Sequence, residues 1–198
     1  MLKVAVTGGI GSGKSAVGEI LQEFGAVIID SDELARTVIE RGSPGYDQVL
    51  AVFGDEILTS GEIDRAKLAS VVFEQPDLRK KLEEIVHPLV REAAEEIMRS
   101  IPADSVVVNE IPLLFETDGA KRFDFVIAVQ APMELRIERL QRRGMKQYEI
   151  EKRLAAQASD EQRASIANAV VINDGSLDAL RSKVEDLWCG HLQPKAGK

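Results

Sequence analysis

The sequence predicts an α/β fold built on a doubly wound parallel sheet. Short β-branched runs alternate along the chain with longer amphipathic segments. The runs are apolar almost without interruption, which suits strands covered on both faces. Strand–helix alternation of this kind leads to parallel sheets with helices on either side. A chain of 198 residues accommodates one such domain of generous size, or a core carrying a smaller insertion.

"LKVAVT" (Leu2–Thr7) reads as the first strand, and Lys14–Phe24 as a helix that stops before Gly25. "AVIID" (Ala26–Asp30) is the second strand. The region from about Glu33 to Pro102 then reads almost wholly helical. Its clearest part, Leu78–Ser100, places Leu82, Ile85, Val86, Leu89, Val90, Ala93, Ala94 and Ile97 at helical spacing. That is too long for a crossover, so it is expected to form a helical insertion beside the sheet. "SVVVNE" (Ser105–Glu110), "FVIAV" (Phe125–Val129) and "AVVIN" (Ala169–Asn173) read as strands, and Pro132–Arg143 and Ser176–Leu187 as helices. A second, arginine-rich excursion spans about 136–167. The expected organisation is a core of about 1–32, 103–135 and 168–192, an insertion of about 33–102 and a lid of about 136–167, with a frayed tail over Gln193–Lys198.

A hydrophobic content of 44% and a charged content of 29% suit a globular chain with a proper core. The net charge of −8 argues against a general binder of nucleic acid or of an anionic membrane. No secretory signal and no apolar stretch near 18 residues stand out. Cys189, the single cysteine, excludes an internal disulfide framework and reads as a part-buried apolar residue. The expectation is a soluble cytoplasmic protein, monomeric or a small homo-oligomer, whose partners are small molecules.

"TGGIGSGKS" (Thr7–Ser15) concentrates four glycines directly after the first strand. Gly8-x-x-x-x-Gly13-Lys14-Ser15 matches the phosphate-binding P-loop, and a strand precedes it and a helix follows, as that motif requires. Glycines let consecutive N–H groups line a concave nest, and the helix adds its N-terminal partial charge. Lys14 would reach the β- and γ-phosphates, and the Ser15 hydroxyl would ligate Mg²⁺. The fold expectation therefore narrows to a P-loop NTPase-type sheet binding a nucleoside triphosphate.

That motif does not separate kinases from GTPases, motor ATPases or passive binders. The chain has no Asn-Lys-x-Asp of the kind that reads guanine. A long insertion and an arginine-rich excursion suit a small kinase, which holds a second substrate and shuts out water. "IIDSDELAR" puts Asp30 and Asp32 at the carboxyl edge of the second strand, where open α/β sheets bind ligands. If the chain stays extended, their i, i+2 spacing points both acids the same way. By themselves, Asp32 or Ser31 could equally cap the helix starting near Glu33. Beside a P-loop, Asp32 is the candidate that orients and deprotonates an acceptor hydroxyl. Glu110 ends an apolar strand as a Walker-B-like acid and would reach the Mg²⁺ shell through water; a carboxylate satisfied at a strand end is the other reading. Arg136, Arg139 and Arg143 share a helix face, and with Arg142, Lys146, Lys152 and Arg153 they make seven cations in a short span of an acidic chain. A triphosphate lid requires such a cluster, although Glu138 and Arg142 could be a plain i, i+4 pair.

Taken together, these residues resemble the dephospho-CoA kinase family. The matching pieces are "TGGIGSGKS", "DSDELAR", His87-Pro88, "PLLFE" (Pro112–Glu116), Gln157 followed by "EQR", and "VINDGS" (Val171–Ser176). They stand in the family's order over nearly the whole chain. The resemblance implies a P-loop kinase with a helical acceptor domain and a lid, moving the γ-phosphoryl group of ATP to the ribose 3′-hydroxyl of dephospho-CoA with Mg²⁺. It implies Asp32, Lys14 and Arg139 as catalytic residues. ATP would be bound by Gly9, Ile10, Gly11, Ser12, Gly13, Lys14, Ser15, Ala16, Arg139, Arg143 and Asn173. The acceptor would meet Thr7, Asp32, His87, Arg91, Pro112, Leu113 and Leu114. His87-Pro88 could instead start a helix. Glu110 stands where the family commonly has Asp, and Ala167-Asn168 where it has Ala-Asp. Another nucleoside or nucleotide kinase, or a non-catalytic nucleotide switch, remains the competing reading.

Overall fold

A computed structural model describes residues 1–193. Most of the expected frayed tail, residues 194–198, lies outside the described residues. In chain order the elements are β1 (Leu2–Gly8), α1 (Lys14–Glu23), β2 (Val27–Asp30), α2 (Ser31–Thr37), α3 (Pro44–Phe53), β3 (Leu58–Thr59), β4 (Glu62–Ile63), α4 (Arg65–Glu74) and α5 (Pro76–Arg99). They continue with β5 (Val106–Glu110), β6 (Phe125–Gln130), α6 (Met133–Arg142), α7 (Gln147–Ala155), α8 (Asp160–Ser165), β7 (Ala169–Ile172) and α9 (Leu177–Leu187). Every strand expected of the main sheet is present, within a residue or two of the boundaries read from sequence. The chain divides into two compact units: Met1–Asp30 with everything from Pro102 onward, and Ser31–Ile101.

The first unit holds a five-stranded sheet in the order β2-β5-β1-β6-β7, all parallel. Burial along β1 shows why its sequence lacks alternation. Leu2, Val4 and Val6 join a core with Val17, Ile20 and Leu21 of α1 and Leu180, Val184 and Leu187 of α9. Ala5, from the opposite face, packs with Leu114 and Val126. Both faces are covered, as a doubly wound sheet demands. Ser176 caps α9, its hydroxyl accepting from the Ala179 N–H. After α9 a π-helical turn, Trp188–Leu192, buries Trp188 and Leu192 and leaves Cys189 exposed. The expected part-buried cysteine is thus on the outside, because its two large apolar neighbours take the inward positions.

The second unit is helical, as expected, with one departure. Residues 58–63 form a two-stranded antiparallel hairpin, pairing Leu58 with Ile63 and Thr59 with Glu62. Its turn residues Ser60 and Gly61 both have positive φ, 54° and 81°, which suits the right-handed twist of a tight hairpin. Asp64 then caps α4, accepting from the Ala66 and Lys67 N–H groups at 2.9 and 3.2 Å. Together with the hydroxyl of Thr59, those donors hold the Asp64 carboxyl below its ordinary pKa. Ile39, Val49, Phe53, Ile57 and Leu68 form the unit's core, and Leu78, Leu82, Ile85 and Val86 of α5 pack against it. The 24-residue α5 begins at Pro76, so His87-Pro88 is helix interior, not a helix start. Pro88 has no N–H for the carbonyl one turn back and is tolerated on an exposed face.

Candidate active site

The strand order sets the carboxyl edge of the first unit. Glu110 at the end of β5 is in register with Val6 of β1 on one side and Asp30 of β2 on the other. Beyond Gly8 the chain leaves β1 as the glycine loop and re-enters regular structure at Lys14. Gly13 has φ of 96°, which a side chain would strain, and a Cβ there would meet the Asn173 amide nitrogen at 2.1 Å.

The loop is held from outside, mainly through its carbonyls. Arg136 donates from Nε to the Ile10 carbonyl at 2.9 Å. Arg139 Nη1 lies 3.4 Å from the carbonyls of both Gly11 and Ser12, and the buried Asn173 side chain donates to Ser12 O at 2.9 Å. Arg139 Nη2 in turn donates to Asn173 Oδ1 at 3.2 Å. With these carbonyls anchored behind the loop, amides on its inner side are free to face an anion. One amide is already engaged: Ile10 N–H donates to Gln157 Oε1 at 2.8 Å. The Ile10 peptide is therefore clamped on both sides by residues of the arginine-rich excursion. Thr7 Oγ1 and Ser12 Oγ are buried without a hydrogen-bond partner among the described residues, an exception that polar ligand sites readily accommodate.

Lys14 and Ser15 occupy the first turn of α1, followed by Ala16. A Cβ on Gly18 would strike Glu110 Oε1 at 2.1 Å, so that glycine lets the carboxylate lie against the helix. Gly18 is three residues beyond Ser15 and shares its face. The Ser15 hydroxyl and the Glu110 carboxylate thus belong to one side of α1, a hard oxygen donor pair suited to Mg²⁺.

Behind the loop, Arg136 and Arg163 are 4% and 1% exposed. Asp160 Oδ1 lies 3.5 Å from Arg136 Nη1 and 3.3 Å from Arg163 Nη1. Glu116 is 3.9 Å from Arg163 Nη2 and accepts from the Ala158 N–H at 2.7 Å. Burial pulls the Arg136 pKa down and Asp160 opposes that shift. Arg136→Ala would strip Asp160 of one partner and free the Ile10 carbonyl. The expected cost is about 3 kcal/mol or more, read as a lowered unfolding midpoint in urea. Gln157→Ala is expected to lower kcat about tenfold or more, the scale of one preorganised contact, with unfolding changed little; wild-type kinetics in that variant would remove the clamp from function.

The expected arginine face is realised in part. Arg136 and Arg139 meet the loop, while Arg142 pairs with Glu138 at 2.6 Å on the exposed side and Arg143 is exposed at the end of α6. In the segment after β5, Pro112 is half-buried and Leu113 is 42% exposed. Leu114 is fully buried in the core with Ala5 and Val126, so its side chain serves packing. Asp32, His87 and Arg91 belong to the second unit and are exposed, and Arg91 Nε donates to the His87 carbonyl at 3.1 Å. The extended spacing expected for Asp30 and Asp32 does not occur. α2 begins at Ser31, so Asp32 lies inside its first turn, where an acid complements the helix dipole. Sequence reading gave no role to Asp160 or Arg163 and assigned none to Gln157; the "Q…EQR" string was the available signal. Among the described residues no cluster of three or more His, Cys, Asp or Glu side chains could hold a metal, and no helix is long and apolar enough to cross a membrane.

A glycine loop between a parallel strand and a helix, at the carboxyl edge of such a sheet, defines a P-loop nucleotide-binding protein. A family model described as dephospho-CoA kinase matches residues 2–179, and the chain belongs to that family. It is 45% identical over 189 residues to the dephospho-CoA kinase of Frankia casuarinae, covering 95% of this chain and 82% of the relative. A crystal structure from Thermus thermophilus superposes with a TM-score of 0.85 at 34% identity, covering 96% of this chain and 97% of the other. The dephospho-CoA kinase of Campylobacter jejuni gives 0.70 at 26% identity, with 93% and 94% coverage.

Proposed function

We propose that the chain transfers the γ-phosphoryl group of ATP to the ribose 3′-hydroxyl of dephospho-CoA, giving coenzyme A and ADP in the cytoplasm. The observation that carries this reading is the loop from Gly8 to Ser15, clamped from behind by Arg136, Arg139 and Asn173. Phosphoryl transfer asks the protein mostly for positioning and charge neutralisation. The bond from the γ-phosphorus to the β–γ bridging oxygen breaks and a bond to the acceptor oxygen forms. Asp32 orients the hydroxyl and accepts its proton. Lys14 neutralises charge on the β- and γ-oxygens. Arg139, tied to the loop and to Asn173, keeps the loop in its binding shape and adds a positive field beside it. Ser15 and Glu110 would hold Mg²⁺, which supplies charge stabilisation when bound.

Incubating the protein with ATP, Mg²⁺ and separate acceptors tests the assignment. ADP formation that depends on dephospho-CoA is the expected result. Turnover with a nucleoside or nucleoside monophosphate in preference to dephospho-CoA would reassign the acceptor, and no acceptor-dependent turnover would point to a nucleotide switch.

A further inference from the structure

The second unit is acidic, with fifteen Asp and Glu against nine Lys and Arg over residues 31–101. Three of those nine cations nevertheless converge on a single cleft of about 380 Å³: Arg36 of α2, Arg41 of the following loop and Arg65 at the start of α4. Glu40 and Glu62 also line it, and Ile39, 8% exposed, gives it an apolar wall. Glu40 pairs with Arg65 at 3.8 Å, with both side chains more than half exposed, a weak pair that can yield to a stronger anion. Three guanidinium groups from three segments are the chemistry that recognises phosphate oxygens in pairs.

We propose that this cleft receives the diphosphate of the acceptor substrate. The inference rests on the acceptor reading above and locates a subsite for it within the second unit. Asp32 and Arg36 stand at i and i+4 on α2, one turn and about 6 Å apart along a shared face. An acceptor nucleotide carries its 3′-hydroxyl and its 5′-phosphate on opposite sides of one ribose. With the hydroxyl at Asp32, the diphosphate falls to the next turn of the same face, where Arg36 opens into the cleft. Arg41 and Arg65 then close around it, and Glu62 gives the cleft an acceptor for a protonated or hydroxyl group beyond the phosphates.

Kinetics and calorimetry on the full chain test this with Arg41→Ala, Arg65→Ala and Arg41→Lys. Each alanine variant is expected to raise KM for dephospho-CoA about tenfold or more, the scale of one charged hydrogen bond, and Arg41→Lys to recover part of the loss. KM for ATP should stay within about twofold, because the donor is held by the other unit. The direct titration reads acceptor binding without turnover, so a weakened dephospho-CoA affinity in the variants supports the cleft even if the transferred group proves to be different. Wild-type affinity for dephospho-CoA in both alanine variants overturns the proposal. So does a parallel fall in kcat, ATP affinity and thermal midpoint, which would mark these arginines as structural. Failure of the wild-type chain to turn over dephospho-CoA counts against the proposed reaction, and failure to bind it in the titration overturns the cleft as well.

Discussion

Lys14→Ala is expected to reduce phosphoryl transfer at least about 10²–10³-fold, the scale of removing one preorganised charge from the developing transition state. The thermal midpoint should move by no more than a degree or two. Both halves follow from the position of the side chain. Lys14 opens α1 directly after the left-handed Gly13, and it makes no hydrogen bond or ion pair with any other described residue. Truncating the side chain therefore breaks no hydrogen bond or ion pair among the described residues, although the stem does lie beside Gly8. What it does remove is the cation proposed above to neutralise the β- and γ-phosphate oxygens. The backing of the loop is unaffected, because Arg136, Arg139 and Asn173 hold the carbonyls of residues 10–12 and not the lysine. ATP should still bind, more weakly, and the deficit should appear chiefly in kcat. A variant with wild-type kcat would take Lys14 out of the chemistry. A variant that unfolds early would show that the loop depends on a contact the folded chain does not display.

The sheet and the loop were legible because their physics is local. Strands buried on both faces are written as apolar runs, and a loop that accepts phosphate must be written in glycine. The hairpin at residues 58–63 went unread because two short strands carry little periodicity; Ser60-Gly61 was its one signal. The i, i+2 argument for Asp30 and Asp32 needs the chain to stay extended past the end of the second strand, but Ser-Asp-Glu opens a helix at Ser31, and the rule does not survive that change of period. The arginine cluster was visible as charge, yet charge alone does not tell a solvated face from a buried clamp. Arg142 went to Glu138, whereas Arg136 crossed 126 residues of sequence to reach Ile10. Gln157 stands 147 residues from its partner, and Arg163 is buried against carboxylates at 116 and 160. Such roles are created by the fold and have no local signature.

Asp32→Asn is expected to lower kcat about 10²–10⁴-fold, the usual worth of a positioned general base. KM for ATP should stay within about twofold. Asparagine has nearly the same shape and still hydrogen-bonds a hydroxyl, so it preserves positioning and removes only the capacity to take the proton. Asp32 is exposed in the first turn of α2, where losing its charge forgoes about 0.3–1 kcal/mol of interaction with the helix dipole. Equal thermal midpoints in the two chains would separate a kcat loss of the expected size from a loss of stability. Asp30→Asn separates the two acids of the motif, since Asp30 ends β2 in the other unit and holds no assigned proton. A large loss in both variants would mean that the acids act together. A loss confined to Asp30, or near-normal kcat in Asp32→Asn, would remove Asp32 from the role of base.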